Sequence, residues 1–417
     1  LYMWPYSFRA DFQPEFYFMQ EWLIKYPLPP SFKLTKAFID IEVDQIDDYV
    51  DLDDLRNSAH CPVNCVTVVL DDTRESYTFI LKPHEPSKLG RSGEVYERLQ
   101  RMYEKQLADH QRLVSDPESF IRELNDEFDS TYGKITYHLR SYSEEIELIA
   151  DIFRLINDRK PNFCTSWNMR FDIQYLMWRI LTLGYNPADI ICHPDFPVKE
   201  CYFRVDKSTF MLEKQFDFFY CKSYTQYICE MRLYASVRKS QHALKSVSLN
   251  YIADRELKDR KVEYEGETNI VDFPYTDWRR FIVYNVKDSL LLTGIERKTS
   301  DVMTYYLRSI TNCTPYAKIF RETHLLRNVR ELYFNRDGWV QGNNVNIIRL
   351  KEEARRKKDA FITPEELENQ DSADDDDEEK SSFKGAIMAE PTMNDTVGLK
   401  ILGMPSNVVF VNSMDFD

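Results

Sequence analysis

Ala37-Phe-Ile-Asp-Ile-Glu-Val43 decides how this chain reads. The run is made of strand-forming apolar residues, yet two carboxylates sit in its middle. Side chains alternate across a strand, so Asp40 and Glu42 share one face while Ile39, Ile41 and Val43 share the other. Charges inside a core-forming strand break its hydrophobic pattern, and such breaks are where functional sites are expected. The alternative, an edge strand with one wet face, fits the apolar flanks poorly.

Two further acidic motifs follow in order. Asn168-Met-Arg-Phe171-Asp172 comes after a predicted strand over 162–167, and Asp172 opens a predicted helix. Ile173, Leu176, Met177, Ile180 and Leu181 give that helix its apolar face, and Gly184 stops it. A carboxylate at a helix N-terminus is also ordinary capping and dipole chemistry, so Asp172 has two possible roles. Tyr284-Asn-Val-Lys-Asp288 lies in a predicted helix over 278–292, with Thr276 as its N-cap. That helix is apolar nearly all round and should be buried. The i, i+4 spacing puts Tyr284 and Asp288 on one face, and a buried carboxylate needs a partner.

Taken singly, each motif is weak. Tyr-x-x-x-Asp starts at Tyr49, Tyr185, Tyr202 and Tyr333 as well as at Tyr284, and Asp-x-Glu recurs at Asp116, Asp254, Asp376 and Asp377. Those copies fall in charged or turn-like segments, where solvated carboxylates are the ordinary explanation. Context selects Asp40, Glu42, Asp172 and Asp288. Four such carboxylates repel one another and are tolerable chiefly when cations fill the space between them. Two divalent ions about 4 Å apart would stabilise both the attacking and the leaving oxygen of a phosphodiester. Carboxylate oxygens suit Mg²⁺ or Mn²⁺. Tyr284 is placed to orient the attacking water.

In order and element type these motifs resemble the three exonuclease motifs of family B DNA polymerases, with surroundings closest to the replicative enzymes of large tailed phages. Leu244 to Asp254 resembles the helix that precedes the third motif. Phe383-Lys384-Gly385-Ala386 resembles the element joining exonuclease to polymerase, with Phe383 in place of the usual tyrosine. Met414-Asp415-Phe416-Asp417 resembles the start of polymerase motif A. The resemblance implies an α/β chain, α+β taken whole, with a ribonuclease-H-like 3′→5′ proofreading exonuclease domain. It implies catalytic Asp40, Glu42, Asp172, Tyr284 and Asp288, and two Mg²⁺ or Mn²⁺ ions on the four carboxylates. Asp415 would be a polymerase metal ligand. Asn168, Phe171, Phe383, Lys384, Gly385 and Ala386 would contact DNA.

The organisation expected from this resemblance has five parts. Residues 1–31 form a piece of an N-terminal domain and 32–300 the exonuclease. Residues 301–341 return to the N-terminal domain, 342–382 form an acidic flexible connector, and 383–417 begin the palm. Implied partners are a frayed single-stranded primer 3′ end, the C-terminal polymerase portion, a sliding clamp and other replisome proteins. The alternatives are a self-contained exonuclease of the four-carboxylate type, or a catalytically silent nucleic-acid-binding or assembly subunit.

At 417 residues, 43% hydrophobic and 14% aromatic, the chain is long enough for two or three domains with sizeable cores. The net charge of −15 argues against nucleic-acid binding only superficially, because much of it is concentrated in the low-complexity stretch 364–380. Basic segments at 238–245 and 355–358 remain. Eight scattered cysteines without a Cys-x-x-Cys pair read as free thiols in a reducing cytosol, the host's if the chain is phage-encoded. No segment approaches about 18 consecutive apolar residues, and no membrane partner is expected. Leu1 in place of Met suggests that residues precede it. Strands are expected at 38–43, 65–70 and 77–81, a charged helix over 93–128, a helix from Ser143 and a β-rich excursion over 190–219.

Overall fold

The computed structural model describes residues 14–26, 33–44, 59–86, 92–196, 201–205, 217–238, 244–262, 272–315, 319 and 322–336. The chain divides into two compact units, residues 25–328 and residues 1–24 with 329–417. In the second unit, helix α1 (Pro14–Lys25) supplies Phe18 and Trp22, whose rings lie one turn apart at 6.4 Å. The connector 342–382 and the segment 383–417, with Phe383, Lys384, Gly385, Ala386 and Asp415, lie outside the described residues.

The larger unit is built on a six-stranded mixed sheet. Its strands are β1 (Lys36–Val43), β2 (Val63–Leu70), β3 (Glu75–Leu81), β4 (Thr136–Tyr142), β5 (Phe163–Ser166) and β8 (Gln226–Cys229). Their order is β4-β3-β2-β1-β5-β8. Strands β1 to β3 form an antiparallel meander, and β4, β5 and β8 join in parallel pairings. Two further strands, β6 (Cys201–Val205) and β7 (Asp217–Cys221), pair as a separate ribbon. This mixed α/β architecture is that of a ribonuclease-H-like domain.

β1 is central, flanked by β2 and β5, and is not an edge strand. Ala37, Ile39, Ile41 and Val43 enter one core with helices α4 (Glu145–Arg159) and α5 (Met169–Thr182). Phe38 enters the opposite core with Trp278, Phe281 and Ile282 of a long helix, α10 (Trp278–Thr299). Burying one such large side chain stabilises by about 1.5–3 kcal/mol. A one-residue slip of β1 would turn Ile39, Ile41 and Val43 out of their core, forfeiting roughly 5–9 kcal/mol by that measure. The apolar alternation therefore fixes which face carries Asp40 and Glu42. A register shift between Glu42 and Val43 marks a bulge at the end of the β1–β2 pairing. Bulges re-aim the side chains beside them.

Several expectations need correction. The charged helix is two helices, α2 (Gly93–Ser115) and α3 (Pro117–Tyr132), broken where the Asp116 side chain accepts from the Ser119 N–H at 3.1 Å and Pro117 begins the next helix. Proline at the first helical position costs no hydrogen bond, so Asp-Pro works as a restart signal. The cap of α10 is Asp277, whose side chain accepts from the Arg280 N–H at 2.9 Å, and not Thr276. Thr276 ends the one-turn helix α9 (Phe273–Thr276). α10 itself runs on to Thr299. Asp172 lies in the first turn of α5, and Asn168 occupies the N-cap position. Strands β4 and β8 were not anticipated.

The remaining helices are α6 (Pro187–Ile191), α7 (Glu230–Arg238), α8 (Leu249–Leu257), α11 (Asp301–Thr311) and α12 (Glu322–Arg336). Among the described residues, no helix is long and apolar enough to cross a membrane.

Entry into β1 and β5 is tied by one side chain. Asn162 Oδ1 accepts from Thr35 N–H at 2.9 Å and from the Thr35 hydroxyl at 3.1 Å. Asn162→Ala removes both bonds at an exposed site, so a loss of about 1 kcal/mol is expected. Chemical denaturation that shows no change in midpoint would contradict this role.

Candidate metal centre

The acidic residues converge where β1, α5 and α10 meet. Asp40 is 9% exposed and Asp288 only 1%, with Asp172 and Tyr284 also buried and Glu42 partly so. One oxygen from each of Asp40, Glu42 and Asp288 lies within 4.8 Å of the other two. Asp172 stands outside that triplet but lines the same cavity of about 260 Å³, as do Tyr284, Asn168 and Phe171.

Each ligand is positioned by the fold around it. α10 lies against β1 and β2: Ser289 donates to the Thr67 carbonyl at 3.2 Å. Asn285 Nδ2 donates to Asp40 Oδ2 at 2.8 Å and to the Asp40 carbonyl at 3.2 Å. Arg280 holds Glu127 of α3 through two contacts of 3.0 and 2.8 Å, fixing the start of the helix. Asn168, the N-cap of α5, makes no side-chain capping bond, which leaves its amide free of the helix and at the cavity wall.

Sequence reading missed Lys261. Its ammonium pairs with Asp288 Oδ2 and donates to the Tyr284 hydroxyl at 3.0 Å. Lys261 is delivered by the segment after α8, where Lys258 takes a left-handed φ of 58° and ends the helix. Lys287 of α10 then clasps Asp259 at 2.6 Å, Tyr132 donates to the same carboxylate at 2.5 Å, and the Lys261 N–H donates to Asn250 Oδ1 at 3.0 Å. The only local signal was the neighbouring Asp259-Arg-Lys run, which looks like a solvated turn. Asn285 lay inside a quoted motif, but its role depends on a neighbour 245 positions away.

The electrostatics describe a site short of positive charge. Burial, then Asp288, Glu42 and Asp172, hold Asp40 well above the usual carboxylate range, with Lys261 opposing. Burial and Asp288 push Glu42 up to about 8, and burial pushes Asp172 up to about 7. Burial also raises Asp288, against the pull of Lys261. Burial opposes the charge on Lys261, but Asp288, Tyr284 and Asp40 together outweigh it and keep the ammonium protonated. One ammonium among four carboxylates leaves an excess of negative charge that a divalent cation would neutralise.

The donor set fits such an ion. Every candidate ligand is a carboxylate oxygen, the preference of hard cations. Asp288 Oδ1 is buried without a hydrogen-bond partner, an orphaned acceptor on one of the three clustered carboxylates. Asp40, Glu42 and Asp288 would hold one ion, and Asp172, on the wall of the same cavity, would share in holding a second.

Raised carboxylate pKa values have a signed consequence for stability. A folded-state pKa near 8 for Glu42 exceeds the unfolded value of about 4.3, so the folded metal-free chain binds more protons. Stability then falls as pH rises between those values, and it is lowest above about pH 8. Glu42→Gln removes the liability. It is expected to stabilise the metal-free protein above pH 8 by on the order of 1–2 kcal/mol, allowing for solvent screening at a partly exposed group. Near pH 4 it should be neutral. Thermal melts in chelator across this range test it, and a pH-independent difference would contradict the assignment.

No curated protein matches this chain significantly. Residues 125–252, which carry Asn168, Phe171 and Asp172, match the exonuclease domain of DNA polymerase family B, and the segment is similar to that domain.

Proposed function

We propose that this chain is a divalent-metal-dependent 3′→5′ exonuclease acting on the single-stranded 3′ end of DNA. The observation that carries it is the convergence of Asp40, Glu42 and Asp288 on one point, with an unpartnered carboxylate oxygen, in a chain whose 125–252 segment is similar to a family B exonuclease domain. Asp172 and Tyr284 on the same cavity wall add to the support.

Divalent ions held by Asp40, Glu42, Asp172 and Asp288 would supply Lewis-acid stabilisation of the scissile phosphate. The chain's own residues do the rest. Tyr284, its hydroxyl kept protonated by burial and by Asp288, is a donor and acceptor at the cavity wall that orients the attacking water. Lys261 holds that hydroxyl and Asp288 in fixed relation. Phe171 and Asn168 present a ring and an amide to the terminal nucleotide, the pairing of stacking and hydrogen bonding that suits single strands. Asn285 keeps Asp40 in one orientation.

The wider reading places this exonuclease in a family B DNA polymerase as its proofreading activity. Phe383–Ala386 and Met414–Asp417 support it, through their likeness to the linking element and to motif A. In that reading residues 32–300 are the exonuclease domain and Asp415 a ligand of the polymerase site. The direct test uses a 3′-labelled and a 5′-labelled single strand with Mg²⁺ or Mn²⁺. Immediate release of labelled mononucleotide from the 3′ end, and a descending ladder from the 5′ label, are expected. Internal cleavage, or release indifferent to chelator, would overturn the proposal.

A further inference from the structure

The side-chain amide of Asn285 is bonded at both ends. Its nitrogen donates to Asp40 Oδ2 at 2.8 Å and to the Asp40 carbonyl at 3.2 Å. Both partners are acceptors, so the nitrogen has to face them and the oxygen has to face away. There Oδ1 meets the Cys65 thiol, whose Sγ donates to it at 3.4 Å. Cys65 and Asn285 are both 0% exposed, so bulk water cannot take the place of the thiol.

The sheet delivers Cys65 to this position. In β2 it stands opposite Glu42 of β1 on one side and Ile80 of β3 on the other. Residues opposite one another on antiparallel strands share a face, so the thiol lies on the acidic face of β1, beside Glu42. Two residues along β2, the Ser289 bond to the Thr67 carbonyl holds α10 against the strand. Burial, then Glu42 and Asp40, push the Cys65 thiol well above its usual range, so the sulfur keeps its proton and is the donor of the pair. Among the described residues the clustered ligand oxygens come from Asp40, Glu42 and Asp288, and the sulfur is not one of the cluster.

We infer that Cys65 is a positioning residue for the metal centre and acts through Asn285: its S–H sets the amide with the nitrogen toward Asp40, and so sets the carboxylate that would bind the cation. The inference rests on the metal-centre reading and adds a residue to it. Without a donor on Oδ1 the amide is free to turn over. Its oxygen would then face Asp40 Oδ2 and the Asp40 carbonyl, acceptor against acceptor, and the carboxylate would lose its anchor. Groups that hydrogen-bond metal ligands without touching the metal are worth about 10–100-fold in metal affinity or activity. A thiol is a weak donor, which places Cys65 at the low end of that range. The effect falls on metal affinity more than on turnover, because a bound cation itself holds the carboxylate.

The test uses the full chain carrying Cys65→Ala, Cys65→Val or Cys65→Ser. Mn²⁺ binding is titrated directly, beside a melt of each protein and the rate of 3′-terminal nucleotide release against Mn²⁺ concentration. Alanine is smaller than cysteine and valine larger, yet both lose the donor, whereas serine keeps it. Cys65→Ala and Cys65→Val are each expected to weaken Mn²⁺ binding about tenfold, with the rate at saturating Mn²⁺ within about threefold of the parent. Cys65→Ser is expected to bind Mn²⁺ within about twofold of the parent, since its hydroxyl also donates. In an Asn285→Ala background, Cys65→Ala should have no further effect on Mn²⁺ affinity, because the path through the amide is already cut. Affinity within about twofold of the parent in Cys65→Ala or Cys65→Val would overturn the inference and leave the metal centre standing. So would full additivity with Asn285→Ala, or a loss of about tenfold in Cys65→Ser, the variant that disturbs the core least. A parent that binds no Mn²⁺ would overturn the metal-centre reading and the inference with it.

Discussion

Asp40→Ala combined with Glu42→Ala is expected to lower release of 3′-terminal mononucleotides by at least ~10³-fold, about 4 kcal/mol of transition-state stabilisation. The two residues supply two of the three oxygens gathered within 4.8 Å, and Asp288 alone cannot retain a cation against water. The fold should survive. Ile39, Ile41 and Val43 hold β1 from the far face and Phe38 from the near one, and neither core depends on the carboxylates. Stability should even rise in the metal-free protein, because two mutually repelling, poorly solvated groups are gone. The decisive comparison is initial rate against Mg²⁺ and Mn²⁺ concentration, beside a melt of each protein. Activity within tenfold of the parent at saturating metal would remove these residues from the centre. A loss of activity with a collapsed melt would mean only that the strand failed, and Glu42→Gln then serves as the gentler probe.

Much of this arrangement could be read from the residues, and the reasons are physical. β1 was legible because its alternation is strict and its two acids contradict the pattern. Helix α10 was legible because it is apolar on every side, and Tyr284 and Asp288 then had to share a buried face. Strand β4 was not, since Thr136–Tyr142 sits at the sheet edge with mostly partly exposed side chains and carries polar residues on both faces. Strand β8 is four residues long and merges into α7, too short for periodicity to speak. The break between α2 and α3 was written in Asp116-Pro117, but the charged pattern on either side looked continuous. Lys261 and Asn285 escaped for a different reason. Their chemistry comes from contacts across the fold, and no local period records which side chains a turn will deliver to a distant helix.

Lys261→Met should reveal what that delivered lysine does, through two readouts that separate its roles. As a counter-ion, Lys261 offsets the charge of Asp288 inside a crowded acidic cavity. Without it the metal-free carboxylates should hold their protons to higher pH, so the variant should lose stability more steeply than the parent as pH rises toward 8 and above. Added divalent metal should restore much of that stability, since the cation supplies the missing charge. As a positioning residue, Lys261 also fixes the Tyr284 hydroxyl at 3.0 Å. Removing one preorganised donor from a catalytic site costs about 10²–10³-fold in rate, and a loss near 10²-fold is expected at saturating metal. Lys261→Arg keeps the charge but spreads it over a larger planar fork whose fixed N–H directions do not reproduce the ammonium's contacts to Asp288 and Tyr284. It should therefore recover the pH-dependent stability more fully than the rate. If Lys261→Met cleaves within twofold of the parent once metal is saturating, the lysine is a counter-ion for the metal-free chain alone. Loss of rate without any change in the stability–pH profile would instead assign it wholly to Tyr284.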